Sequence, residues 1–274
     1  MSTTTHLTTS EQSKAQLIEK AIALAKSGKG TGGPPHDQVG DLLRAYYRHV
    51  APEDLADRSE VDLYGAFAAH YKLAADRPQG TAKAKLTTPT LADQGWSAAG
   101  HSVVEVVVDD MPFLVDSLTM ELSRQLRDVH VVVHPNFDVV RDITGVLQSL
   151  VPVSDGALEP EGEAVRESWM HVEIDRLPEG EDAAAIVDDI QRVLRDVREA
   201  VEDWRKMHSQ VEAIVAGSSP SGSRSISTCI HDSRTASSSG SSAPSGTGES
   251  DWRTPVMSRT TSKLGCTTTC TSRS

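Results

Sequence analysis

What this sequence lacks narrows it first. No cysteine occurs ahead of Cys229, so the body of the chain carries no disulfide and fits a reducing compartment. No apolar run approaches the roughly 18 residues that span a bilayer. The opening MSTTTHLTTSEQSKAQ has no apolar core, which argues against a secretory signal or an anchor. Basic residues are outnumbered by acidic ones, 27 to 39, for a formal net charge of −12. A field of that sign disfavours nucleic acid and anionic membrane as partners. A soluble, cytoplasmic protein is the expectation.

The last part of the chain lacks nearly everything a core needs. From Gly217 to Ser274 the only aliphatic side chains larger than alanine are Ile226, Ile230, Val256 and Leu264, whereas serine and threonine fill 28 of 58 positions. Too little apolar surface is available there to offset the entropy of ordering, so 217–274 is expected to be a disordered tail. Cys229-x-His231 and Cys266-x3-Cys270 have nearly zinc-like spacing, but nothing between them resembles a hairpin or helix that would hold a site. No metal site is therefore expected.

What is present begins with helices. Apolar residues recur at helical spacing over Glu11 to Lys26, over Asp37 to Val50, and again after Ser59-Glu-Val-Asp62, which resembles a capping box. These predict a helical N-terminal unit, 1–80, with a Gly/Pro linker at 27–36. The linker's Gly28-Lys-Gly30-Thr-Gly32-Gly33 matches G-x-G-x-x-G but follows a helix and precedes Pro34-Pro35. It is therefore a linker and no dinucleotide fingerprint.

From residue 81 the period falls to two. Thr81–Thr87 alternates, and HSVVEVVVD (101–109) is a largely apolar, β-branched strand. Pro112 opens a helix over Phe113–Asp128, with Asp110 placed to cap it and Phe113 turned into the core. Val129–Val140, Val146–Val153 and ESWMHVEIDRL (167–177) supply further strands. The face bearing His171, Glu173 and Asp175 reads as exposed sheet, and His130 and His134, four apart, as solvent-facing strand histidines. A helix from Glu181 to Ala216 closes the domain. Strand, helix, hairpin, strand, helix is the order of a ferredoxin-like split βαβ, so the expected fold is α+β, with an 81–216 domain of βαββ type and a long C-terminal helix. That helix outruns any sheet it could cover. Its far end, with Trp204, Met207, Val211, Ile214 and Val215, is expected to meet something else.

The blocks GWSAAGHSVVEVVVDDMPFLVDSLTMELSRQ, HVVVHPNFDVVRD, ESWMHVEIDRL and VLRDVREAVEDWRKM, in that order over about 40–215, resemble the N-terminal region of the large bacterial NAD-specific glutamate dehydrogenases. The resemblance implies an ACT-like module ahead of a distant catalytic domain. In the family that domain binds NAD and oxidatively deaminates L-glutamate to 2-oxoglutarate. No catalytic residue, cofactor-binding residue or cofactor is expected in this chain. It reads as a regulatory or assembly segment, inactive alone, whose partners are the downstream dehydrogenase domains or a second subunit. A free-standing amino-acid sensor is the alternative. After about Ala216 the resemblance stops, and the tail, in a chain whose single asparagine is Asn136, looks like GC-rich coding sequence read in a shifted frame; a genuine disordered tail is the other reading. ACT modules often bind an amino acid between their first strand and first helix. The resemblance thus places a candidate effector site at Asp109, Asp110, Met111, Pro112 and Phe113.

Overall fold

A computed structural model describes residues 9–28, 33–153, 160 and 162–217. Backbone contacts separate Met1–Ser219 from a second unit, Pro220–Ser274, which lies outside the described residues. The expectations for the tail, its cysteines included, and for residues 29–32 of the linker therefore fall outside them as well.

The elements are α1 (Thr9–Lys26), α2 (Val39–Tyr46), a 3-10 turn (Pro52–Leu55), α3 (Glu60–Ala74), β1 (Lys83–Thr87), β2 (Ser102–Asp109), α4 (Leu114–Arg124), β3 (Val129–Val133), β4 (Asn136–Arg141), β5 (Leu147–Pro152), β6 (Val165–Ile174) and α5 (Ala183–Gly217). The capping box is realised: Ser59 Oγ accepts from the Asp62 amide at 3.2 Å, and the Asp62 carboxylate accepts from the Ser59 amide at 3.1 Å.

One antiparallel sheet runs β1-β2-β6-β4-β5. Eight of the ten residues of β6 pair on one side with all of β2, from Ser102 opposite Ile174 to Asp109 opposite Glu167. On its other side two short strands follow end to end, β4 against Val165–Ser168 and β3 against His171–Ile174. The run read as one strand from Val129 to Val140 is thus interrupted, and Pro135 explains the interruption. It has no N–H to give the ladder, and only its carbonyl is used, accepting from the Trp169 amide at 3.0 Å.

Because β2 and β3 both run antiparallel to β6, they are parallel to each other, and β2–α4–β3 is a split βαβ unit. β1 lies on the free edge of β2, the place a closing strand takes in a ferredoxin-like sheet. The architecture is α+β with a long C-terminal helix, as the sequence reading has it.

Two apolar layers flank the sheet. On one face Val104, Val106, Val108, Met170, Val172 and Ile174 pack against α4 and α5. On the other, Val107, Val131, Val133, Phe137 and Trp169 pack against α1, α2 and α3. This second cover corrects the reading of 167–177, since Trp169, His171 and Glu173 face α3 and are buried. A sheet buried on both sides needs apolar residues on both, so β2 reads as a run and not as an alternation.

Two local details also differ from expectation. α4 is shorter than Phe113–Asp128, because Leu126 adopts a left-handed φ of 59° and ends it. The Arg127 amide then reaches Leu122 O and the Leu126 amide Ser123 O, both at 2.9 Å, which is a Schellman closure. α5 is 35 residues long, about 52 Å at 1.5 Å per residue, but its buried residues end at Val201. Beyond it Trp204, Met207, Val211, Ile214 and Val215 are each more than half exposed. Among the described residues no helix is long and apolar enough to cross a membrane.

Candidate functional site

Register sets the first feature. It puts Asp109, at the end of β2, opposite Glu167 of β6, two carboxylates that would repel across a ladder. The fold answers with arginines. Arg77, wholly buried between α3 and β1, donates from Nη2 to Asp109 Oδ1 at 2.6 Å, from Nε to Glu167 Oε1 at 3.1 Å and from Nη1 to Thr81 O at 2.7 Å. Arg141 forks onto Glu167 at 2.6 and 2.9 Å, and Arg198 of α5 reaches Asp109 Oδ2 at 2.7 Å. Burial pushes the Asp109 carboxyl up, but Arg77 and Arg198 outweigh it and hold the group below its usual range. Asp109 is therefore a structural anchor joining α5 to the sheet.

The rest of the predicted loop is more open. The Asp110 amide donates to Arg166 O at 2.9 Å, and burial raises the Asp110 carboxyl, offset by Arg166 and by a bond with Asn136. Asp110 does not cap α4. The N-cap is Phe113, with a left-handed φ of 72°, and no side chain caps the helix. Phe113 is not in the core either, being 67% exposed, while Met111 packs partly against the α4–α5 layer and Pro112 is exposed. An aromatic residue in left-handed backbone carries about 1–2 kcal/mol of strain that glycine would not.

The two histidines do not form a pair. His130 stacks on His101, with ring centroids 4.2 Å apart and planes 4° from parallel, and its Nε2 lies 2.8 Å from Asp175 Oδ1. His134 bonds Ser168 Oγ instead and is pushed down to about 4 by burial and by His49.

Sequence reasoning missed the second feature, a polar group sealed between α3 and the sheet. Glu105 of β2 stands directly across from His171 of β6, and His70 of α3 covers both. One ligand-capable atom from each residue lies within 4.8 Å of the others, and all three residues are buried. His70 is bracketed, with Nδ1 2.9 Å from the Tyr46 hydroxyl and Nε2 3.1 Å from Val106 O. Only an N–H can bond a carbonyl, so Nε2 carries the proton and Nδ1 accepts from Tyr46. Burial, with His171 nearby, lowers His70 to about 3, so it is neutral. Burial raises Glu105. Neither Glu105 oxygen has a hydrogen-bond partner, nor has His171 Nδ1. His171 Nε2 lies 3.7 Å from Glu173 Oε1, and Glu173 in turn binds Arg58 and His101. The visible signal was Glu105 itself, a carboxylate inside an unbroken valine run.

Part of this chain matches known proteins. A family described as "Glutamate dehydrogenase, ACT1 domain" matches residues 42–190. The NAD-specific glutamate dehydrogenase of Halomonas elongata is 32% identical over 178 residues, 65% of this chain and 11% of that protein. That of Pseudomonas aeruginosa is 28% identical over 179 residues, again 65% of this chain and 11% of the relative. The chain thus spans about a ninth of the length of these curated relatives. No solved structure matches it. With a split βαβ sheet in the matched span and the match covering more than half of its residues, the chain belongs to the glutamate dehydrogenase ACT1-domain family.

Proposed function

We propose that this chain is the N-terminal regulatory or assembly segment of a cytoplasmic NAD-dependent glutamate dehydrogenase and has no catalytic centre of its own. The observation that carries this reading is the family match over 42–190, which falls on an antiparallel sheet. A dinucleotide site of the doubly wound kind needs parallel strands joined by helices, with a glycine-rich turn at a helix N-terminus. Hydride transfer further needs the nicotinamide fixed against the substrate carbon. Those parts belong to downstream domains, which are the partners proposed here together with a second subunit. The exposed apolar end of α5 supports such a contact, since surface of that kind marks interfaces.

An amino-acid effector at Asp109, Asp110, Met111, Pro112 and Phe113 is part of the same proposal. α4 has no side-chain cap, so its first amides suit a carboxylate, and Asp109 is neutralised by Arg77 and Arg198. Purified chain mixed with L-glutamate and NAD should form no NADH above a buffer control. Glutamate-dependent NADH production by the chain alone would overturn the reading.

A further inference from the structure

We propose that His70, Glu105 and His171 supply three ligands to one divalent transition-metal ion of the zinc class, which pins α3 to the centre of the sheet. A buried carboxylate without a partner is rare, because nothing replaces the water it gave up. Glu105 is 1% exposed, both its oxygens are unpartnered, and the unpartnered Nδ1 of His171 belongs to the residue directly across the ladder. Lys85 lies opposite Glu105 on the other side, in β1, but its side chain is exposed and leaves the carboxylate unbonded. A cation held by Glu105 and two imidazoles satisfies all of these atoms together.

The donor set selects the ion. Two imidazoles and one carboxylate are the ligands that zinc and its neighbours take, at about 2.0–2.2 Å each. Magnesium and calcium demand six or more oxygens. At ~2.1 Å per bond, donors around a tetrahedral ion stand ~3.4 Å apart, so the present spread of up to 4.8 Å must contract by side-chain rotation on binding.

Groups that can orient the two histidines are already in place. A metal-bound histidine usually gives its other nitrogen to a carboxylate or a backbone carbonyl. His171 Nε2 stands 3.7 Å from Glu173 Oε1, just outside hydrogen-bond distance, and Arg58 and His101 hold that carboxylate there. Both His70 nitrogens are engaged, so binding exchanges one bond: Nδ1 leaves the Tyr46 hydroxyl for the ion while Nε2–H keeps donating to Val106 O. All three donor residues are buried, so the role proposed for the ion is structural.

The test uses the full chain with Cys229→Ser, Cys266→Ser and Cys270→Ser, so that tail thiolates cannot bind the probe. Co2+ added to this chelator-stripped protein should bind one to one. It should give the visible bands of a low-coordinate nitrogen/oxygen site without sulfur charge transfer, and Zn2+ should displace it and raise the thermal midpoint. Glu105→Gln keeps shape and removes the charge; binding should weaken at least ~100-fold, beyond the roughly 10–100-fold lost when a group that only orients a ligand is removed. His171→Gln, measured alongside, should do the same, so a folding defect in one variant decides nothing. Absence of a Co2+ spectrum in the cysteine-free chain, or binding that survives in a folded Glu105→Gln or His171→Gln protein, overturns the proposal.

Discussion

Arg77→Met should cost about 3–5 kcal/mol of folding stability, the usual penalty for removing one member of a buried ion-pair network. Arg77 is wholly buried and bonds Asp109, Glu167 and the Thr81 carbonyl, so methionine fills the space while leaving two carboxylates facing each other across the ladder. Arg141 and Arg198 still hold Glu167 and Asp109, which keeps the loss from running higher. The pH dependence has a definite sign. Asp109 is held below its usual range in the folded protein, so its contribution is complete above the ordinary carboxyl pKa and is lost as pH falls through the depressed value. Arg77→Met removes part of that contribution, and the variant should lose less stability between neutral and acid pH than the parent. Urea denaturation at pH 7 and at pH ~2.5, below the ordinary Asp value of about 3.9, checks both points. A loss under about 1 kcal/mol at pH 7 would mean that the pairs behave as surface salt bridges do.

Gly65→Ala should also destabilise, by about 1–3 kcal/mol, the range for overpacking a filled core. Helix propensity alone gives the opposite sign, since alanine in a helix interior is favoured over glycine by about 1 kcal/mol. Packing decides here. A Cβ on Gly65 would sit 2.3 Å from both Cβ and Cγ of Trp96, and these atoms lie too close to the Trp96 backbone for a rotamer change to clear them. Trp96 is itself buried against Ala66, Ala98 and Val103, so its loop has to move. Gly40→Ala in α2 is the matched control. Its nearest neighbour is the flexible end of Arg44, at 3.3 Å, and the change should be neutral or stabilising by up to ~1 kcal/mol. Equal effects at the two glycines would refute the packing argument.

Most of the fold was legible because local signals agreed with one another. The capping box at Ser59, the β-branched run of β2 and the three-and-four spacing of α5 each produce the element they announce. What the sequence could not disclose was the second helical layer. An alternating segment such as ESWMHVEI says that two faces differ; it cannot say that a helix some hundred residues earlier covers the more polar one. His171 and Glu173 therefore read as solvent-facing, although they lie beneath α3. Phe113 was misplaced for a backbone reason, since its left-handed φ swings the side chain away from the stripe it would share in a longer helix. Asp109 could be picked out by position, but its arginine partners are 32 and 89 residues away and no spacing rule reaches them.

The most direct measurement is a segment exchange in the Halomonas elongata NAD-specific glutamate dehydrogenase, over the 178 residues that match this chain. Assembly state and glutamate-dependent NADH formation are compared for the parent, for a deletion of the matched segment, and for a chimera carrying the corresponding stretch of this chain. A regulatory or assembly segment should fail in the deletion and be restored in the chimera, with both readouts returning towards the parent. A chimera indistinguishable from the deletion would contradict the proposed function.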